Sequence, residues 1–432
     1  MAVVERSVSL LRHVSFVRLL AIASFAFALT LISNTLNPSL YTYKLRLFVP
    51  DDPNAALGLL RFASLIVAAV TQPIVGVLSD RTRTPLGKRL PYFIAGSGMG
   101  IVCLYGIALA PELTLFVVMV LIAQVAFNII QGPWQALIPD QVPETQRGQA
   151  AGVRAMFDIL AVVAGGQIAP YFLARADTLG MMAGVYAVSA PALGLLLALL
   201  LTAFLARENT EPAPAQGTPQ SPLAVLHRAF DVDLRSYPAF RWWLLNRFLF
   251  WVGVVSLANF LINYAIDVLG MTPEGAQNYY REINIYLGIS LLAAALPAGW
   301  LSDRLGRKPF IMAAGFLAAL GTLPFIFSVD RSILLAGGAL VGFATGGFLS
   351  TNWALATEII PREEAARYLG IANIATAMGI GIGALVGVSI DLVNNWTNSL
   401  VTGYQVAYVL TALVYALSAL VIWRMPLHKN AV

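Results

Sequence analysis

A short charged phrase occurs twice in this chain, each time between two apolar stretches, at positions about 220 residues apart. Gly76 to Pro91 reads GVLSDRTRTPLGKRLP, and Gly299 to Pro309 reads GWLSDRLGRKP. Roughly twenty apolar residues precede each copy and roughly twenty follow it, which is the length an α-helix needs to cross the hydrocarbon of a bilayer. A second repeat runs at nearly the same offset. Trp134 to Gly152 (WQALIPDQVPETQRGQAAG) matches Trp353 to Gly370 (WALATEIIPREEAARYLG) in its Trp, its acid, its Pro and its Gly. A chain that repeats span, acidic–basic loop and span in both halves is restricted to a duplicated bundle of membrane helices. Secondary transporters are built from such repeats, with the substrate site at the interface of the halves.

Composition agrees. Of the 432 residues only 11% are charged and 58% are hydrophobic, against about 25% charged in an ordinary soluble domain. Apolar runs place spans near 16–43, 57–78, 91–110, 113–137, 149–173, 180–206, 241–266, 280–301, 309–328, 332–357, 366–390 and 402–424, with Asn37-Pro38 a point where the first can break. The expected fold is therefore an all-α membrane protein of twelve transmembrane helices in two pseudo-symmetric six-helix domains, 1–206 and 241–432. Residues 207–240 join them. Their first part, RENTEPAPAQGTPQSP, reads as a flexible linker, and 222–240 carries apolar residues at helical spacing suited to the cytoplasmic interface.

Orientation follows from Lys and Arg. With both termini on one side, that side holds 20 of them and the other holds 6, with Arg154 left inside a span. The positive-inside rule then puts both termini in the cytoplasm of a cell with the protein in its plasma (inner) membrane. The net charge of +5 is explained by topology, and nucleic-acid binding needs no further consideration. The start, MAVVERSVSLLRHVSF, lacks a short apolar core with a small-residue cleavage site, so the first span is expected to stay in the mature chain. The single cysteine, Cys103, excludes an intrachain disulfide and a cysteine metal cluster. Neither a nucleophile–base pair nor a phosphate loop appears, so neither an enzyme nor a bound cofactor is expected, and the chain is expected to work as a monomer in the lipid bilayer.

Asn and Gln are costly in lipid and should face protein or water. Spans three, six and nine have none, and span twelve only Gln405 at its edge. The others carry them in register. Asn34, Asn37 and Tyr41 share a face of span one; Gln124, Asn128, Gln131 and Gln135 do so in span four; Asn259, Asn263 and Asp267 do so in span seven, near Trp251. Asn352 and Asn373 add to the set from spans ten and eleven. Neutral amides with aromatic rings suit a polyhydroxy ligand, since amides bond hydroxyls bidentately and rings cover a sugar's apolar face. Interhelical bonding is the other use of the same amides.

The doubled loop and the scaffold pattern together resemble the major facilitator superfamily, whose signature is a Gly-x-x-x-Asp-Arg-x-Gly-Arg-Arg/Lys loop after the second and eighth helices. That resemblance implies that Asp80 and Asp303 cap a facing helix end in one transport state. It also implies that Arg81, Lys88, Arg89, Arg304, Arg307 and Lys308 pair with Asp140 and Glu358 at the exits of spans four and ten. Topology enforcement is the alternative role for these charges. The longer first loop, SDRTRTPLGKRLPY, resembles that of the glycoside-pentoside-hexuronide and sucrose–proton symporters, and GPWQALIPD is similar to the helix-four end of the latter. Gln135 stands where the sucrose symporters have Arg, and span two has no carboxylate where melibiose-type permeases hold sodium. These departures point away from sucrose itself and from sodium.

Coupling chemistry narrows to one place. None of His13, His227 and His428 is in a span, and Asp158 is the carboxylate lying well inside one, with Arg154 one turn away on the same face. An intramembrane acid is a functional candidate; a permanent ion pair stitching helix five to four is the alternative. The combined expectation is a proton-coupled sugar symporter working by alternating access. A drug or metabolite–proton antiporter is the alternative, although its Arg-x-x-Gln-Gly motif here reads Asn128-Ile-Ile-Gln131-Gly132.

Overall fold

The computed structural model describes residues 13–206, 234–235, 237–360 and 365–426. The interfacial helix expected over 222–240 lies largely outside them, as do His227 and His428. Regular structure among the described residues is helical throughout. The helices are α1 (Phe16–Phe48), α2 (Pro53–Arg81), α3 (Leu90–Leu109), α4 (Leu113–Gln135), α5 (Arg147–Leu173), α6 (Met182–Leu205), α7 (Pro238–Ala258 continued by Leu261–Asp267), α8 (Pro273–Leu305), α9 (Arg307–Phe327), α10 (Arg331–Ile359), α11 (Ala365–Thr397) and α12 (Thr402–Trp423). Eleven are long and apolar enough to cross a membrane, and the two parts of α7, bent by 41°, make a twelfth.

Local chemistry accounts for the ends. Ser15 caps α1, Thr272 caps α8 ahead of Pro273, and Asp330 caps α10, each side chain accepting a first-turn backbone N–H. The backbone leaves helical geometry at Asn37 (φ −123°, ψ 131°), where the sequence allowed a break before Pro38. The two charged loops turn on glycines at positive φ, Gly87 (98°) and Gly306 (90°), a conformation other residues adopt only with strain. This is the physical reason that both copies of the phrase carry Gly. In its second copy the turn is so tight that α9 starts directly after Gly306.

The helices group into two compact units, one of 1–44 with 63–219 and one of 45–62 with 220–432. In the first, α1 packs on α5 and α6, α3 on α4 and α6, and α5 on α6. In the second, α7 packs on α11 and α12, α9 on α10 and α12, and α11 on α12, which is the same set shifted by six helices. The amide-free α3 and α6 are neighbours, as are their counterparts α9 and α12, which carries only Gln405. Residues 45–62, which sequence placed with the first half, group with the second unit. Polar bonds from Arg46, Asn54 and Arg61, described below, and the packing of Gly58 on Ala384 tie them there.

Glycine ladders set the closest approaches. Gly338, Gly342 and Gly346 of α10 lie against Ile283, Leu287 and Leu291 of α8, both sets at four-residue steps. A Cβ on Gly342 would come within 2.9 Å of the Leu287 Cα. Gly379 and Gly383 of α11 similarly admit α7 at Trp251 and Val255. Without water to drive association between helices, small residues that let backbones meet supply the packing. The apolar core of the second unit is aromatic, with Phe250 stacked on Phe348 at 3.6 Å between centroids.

Candidate functional site

The charged loops form the same constellation in each unit. In the first, the buried Arg89 guanidinium lies between two carboxylates, its Nη2 3.1 Å from Asp80 Oδ1 and 2.6 Å from Asp140 Oδ2. Arg89 Nε also donates to Asp140, at 3.0 Å. In the second, Arg307 Nη2 is 3.1 Å from Asp303 Oδ1 and its Nε 3.0 Å from Glu358 Oε1. One Arg therefore ties the acid that ends the second helix of each unit to the acid at the exit of its fourth. Asp80 and Asp303 bond guanidinium groups, and among the described residues neither accepts a helix N–H. Arg304 instead stacks on Trp300, its Cζ 4.0 Å from the ring centroid, and Lys308 donates to the Met425 carbonyl at 2.8 Å. Arg81 and Lys88 are engaged in contacts of their own.

A second polar centre in the first unit joins α1, α4 and α5. The Thr30 hydroxyl donates to Asp158 Oδ1 at 2.7 Å, and Arg154 Nε lies 3.7 Å from Asp158 Oδ2. Arg154 in turn stacks over Trp134 of α4, 4.8 Å from its centroid. Asn34 is one turn from Thr30 and donates to its carbonyl at 2.8 Å. Of the α4 face, Asn128 is buried and donates to the Gln124 carbonyl at 2.8 Å, Gln131 is half-buried, and Gln135 is exposed and accepts from Gln72 at 3.2 Å. Asn37 is half-buried beside the break in α1 and has a partner. The structure thus brings Asn34, Asp158 and Arg154 together, while Gln135 lies toward the loop end of α4.

In the second unit the predicted amides divide between two networks. Arg46 Nε donates to Asn263 Oδ1 at 2.5 Å and its Nη2 pairs with Asp267 at 2.6 Å. The Tyr404 hydroxyl donates to Asp267 at 2.6 Å and accepts from Asn54 Nδ2 at 2.9 Å, while Asn263 Nδ2 donates to Asn54 Oδ1 at 2.8 Å. These five side chains close a ring of hydrogen bonds. Arg61 donates to Asn259 Oδ1 at 2.7 Å. Asp391, 3% exposed, accepts from Asn54 Nδ2 and from the Ala55 N–H, both at 2.7 Å. Asn259 and Asn263, read from sequence as ligand contacts, here bind protein groups of the 45–62 segment.

The other network surrounds a residue that the count of Lys and Arg by side left among the cytoplasmic charges, although it falls inside the 241–266 run. Arg247, 3% exposed, donates from Nε to Thr376 Oγ1 at 2.7 Å and from Nη1 to Asn352 Oδ1 at 2.8 Å. Asn352 Nδ2 donates to Asn246 Oδ1 at 3.2 Å, and Asn246 Nδ2 donates to Ser418 Oγ at 2.8 Å, so α7, α10, α11 and α12 share the network. Trp353 lies under the guanidinium at 4.4 Å. The indole N–H of Trp251 is buried without a hydrogen-bond partner. Asn373 is exposed. A signal for Arg247 was available: Trp243, Arg247 and Trp251 recur at four-residue steps, one stripe of a helix. Among the described residues no group of three or more His, Cys, Asp or Glu side chains is placed to hold a metal.

Comparison with known proteins fits this geometry. Residues 41–429 match the family described as MFS/sugar transport protein. The minor myo-inositol transporter IolF of Bacillus subtilis is 32% identical over 100 residues, 23% of either chain. The multidrug resistance protein MdtG of Dickeya zeae is 24% identical over 89% of this chain and 88% of its own. Among solved structures, that of the nucleoside transporter NupG superposes with a TM-score of 0.71 at 15% identity, over 94% of this chain and 99% of the other. The family and its structural neighbours are membrane transporters and not enzymes.

Proposed function

Because this chain belongs to the family of MFS/sugar transport proteins, a group of multi-pass membrane transporters for small molecules, we propose that it is a secondary active transporter that carries a sugar together with a proton by alternating access. In this reading it lies in the plasma membrane with both termini in the cytoplasm, as the excess of Lys and Arg on one side favours. The observation that carries the coupling is the Asp158 carboxylate, set in a membrane helix between the Thr30 hydroxyl and Arg154. An acid so placed can bind and release a proton as water reaches it from one side or the other. Asn34, through the Thr30 carbonyl, and Trp134, through Arg154, link that acid to the amide-bearing faces of α1 and α4. Sugar hydroxyls bonded by these amides are then within one or two residues of the proton site, which is what coupling requires. The Arg89 and Arg307 clusters hold one state of the cycle until their bonds exchange.

The experiment is transport by the purified protein in liposomes against a panel of neutral sugars, with and without an inward proton gradient. Wild type is expected to concentrate at least one sugar only when the gradient is imposed. Asp158→Asn should lose accumulation yet keep exchange of internal for external sugar, because a permanently neutral side chain mimics the protonated form. An Asp158→Asn protein that still concentrates sugar with normal gradient dependence refutes the assignment. The near full-length likeness to a multidrug resistance protein supports one other reading, a drug–proton antiporter. Proton-driven export of a lipophilic cation, with no sugar moved, would establish it.

A further inference from the structure

The two repeated tryptophans, Trp134 and Trp353, each carry a stacked guanidinium, Arg154 at 4.8 Å and Arg247 at 4.4 Å. The two cations differ in what balances them. Arg154 is more than a third exposed and has Asp158 beside it. Arg247 is almost wholly buried, and its partners are the neutral Thr376 hydroxyl and Asn352 amide oxygen. No carboxylate among the described residues pairs with it, and its Nη2 donates no hydrogen bond. A buried guanidinium without a counter-ion is costly, more so at membrane depth, and neutral acceptors offset only part of that cost. The rest is recovered if an anion arrives. Nη1 and Nε are fixed by Asn352 and Thr376, and the ring of Trp353 fixes the guanidinium plane, so Nη2 is presented in one orientation at no further conformational cost. Along the same stripe of α7 lies Trp251, with a buried indole N–H that has no partner.

We propose that Arg247, held by Asn352, Thr376 and Trp353, is a subsite for an anionic group of the transported molecule, a carboxylate or a phosphate. The proposal rests on the transport reading above and adds the charge of the substrate to it. A small oxyanion accepts from Nη2, and the Trp251 N–H, one turn further along the same stripe of α7, is a second donor without a partner. It provides discrimination that amides alone lack, since a neutral sugar leaves the guanidinium uncompensated. The charge-assisted bond is worth a factor of about 10–100 in affinity for the anionic member of an otherwise matched pair.

The test measures binding to the purified full chain in lipid nanodiscs, by calorimetry, of D-glucose, D-glucuronate, glucose 6-phosphate and inorganic phosphate. Glucuronate or glucose 6-phosphate is expected to bind at least about tenfold more tightly than glucose, the stronger of the two identifying carboxylate or phosphate as the group. Arg247→Gln should abolish that preference, and Arg247→Lys, which keeps the charge but loses the fork, should retain part of it. If glucose binds as well as either anion and Arg247→Gln leaves all affinities unchanged, the anion subsite is overturned and the sugar reading survives. Inorganic phosphate bound in an Arg247-dependent way without any sugar binding leaves the subsite standing and removes the sugar. Binding of none of the four probes to wild type overturns the subsite. Should Arg247→Gln fail to fold, the wild-type ranking and Arg247→Lys decide alone.

Discussion

Replacing Arg89 by Gln removes the cation that joins Asp80 to Asp140 and leaves the shape of the loop almost intact. The guanidinium is buried, 4% exposed, but its two acids are 66% and 42% exposed and can rehydrate once it is gone. Exposed ion pairs contribute about 0–1 kcal/mol, and hydrogen bonds to charged groups about 1.5–3 kcal/mol. With the carboxylates half in water, the lower part of the combined range applies, about 1–3 kcal/mol for the cluster. If the cluster exists in only one transport state, that energy is a bias on the equilibrium, and losing it shifts the ratio of states about 5–150-fold. The chain has one cysteine, so Cys103→Ser gives a cysteine-free background. In it, Gln131→Cys is labelled with a membrane-impermeant maleimide from either face of a sealed vesicle. The ratio of the two labelling rates should move at least fivefold in Arg89→Gln. Arg83→Gln is the control, because it removes the same charge from the same loop, while Arg83 donates only to the carbonyls of Asp80 and Thr82. A role confined to membrane topology predicts equal effects for both variants, and an unchanged labelling ratio in Arg89→Gln would refute the gating argument. Arg307→Gln should move the ratio in the same direction, since Arg307 joins the equivalent acids of the second unit.

Gly342→Ala should lower the melting temperature of the purified protein, since its Cβ would press on the Leu287 backbone at a cost of about 1–3 kcal/mol. Gly347→Ala, whose Cβ meets only the Ala298 Cβ at 3.7 Å, should leave the melt nearly unchanged; equal shifts would remove the packing argument. Asn246→Leu should destabilise by about 1–3 kcal/mol by stranding the Asn352 amide N–H and removing the bonds its own amide makes to Ser418, and a double-mutant cycle with Ser418→Ala should show coupling. Asp391→Asn should weaken the hold on residues 45–62, read as faster hydrogen exchange at Ala55, while proton-driven accumulation survives. Loss of accumulation in Asp391→Asn with Asp158→Asn unaffected would move the proton site to Asp391.

The architecture was legible because a bilayer leaves few options. Apolar runs of the right length must be helices, the doubled loop must join equivalent pairs, and the spans free of Asn and Gln, with span twelve and its single Gln405, are the ones that pack as α3 with α6 and α9 with α12. The helix ends read less well where polar residues continue the helix beyond the apolar run. That is how Asp391, just past the end of span eleven, came to lie within α11, whereas Arg247 was inside the 241–266 run all along and was lost to the count by side. Counting Lys and Arg by side treats each as a topological marker, and only the i, i+4 stripe with Trp243 and Trp251 separates a residue that enters the bundle from one that stays at the surface.

The amides show a second limit. Periodicity says which face a side chain is on, and it is silent on what the face meets. Asn263 and Asn128 are both buried on polar stripes. Asn128 bonds its own helix, one turn back, whereas Asn263 completes a ring with Asp267 and with Arg46, Asn54 and Tyr404, which come from distant parts of the chain. Arg46 and Asn54 lie in the last turns of α1 and the first turn of α2, outside the apolar runs that marked the spans and in a stretch too brief to be read as a domain. Those bonds, with the close approach of Gly58 to the Ala384 backbone and of Gly387 to Asn54, tie it to the second unit. The energetics follow the same division. A closed ring of hydrogen bonds makes each member depend on the rest, so a single neutral substitution such as Asn54→Leu should release Asn263, Tyr404 and Asp391 together. The Arg247 centre is the opposite case, a network deliberately short of one acceptor, and it is there rather than in the ring that a ligand has something to complete.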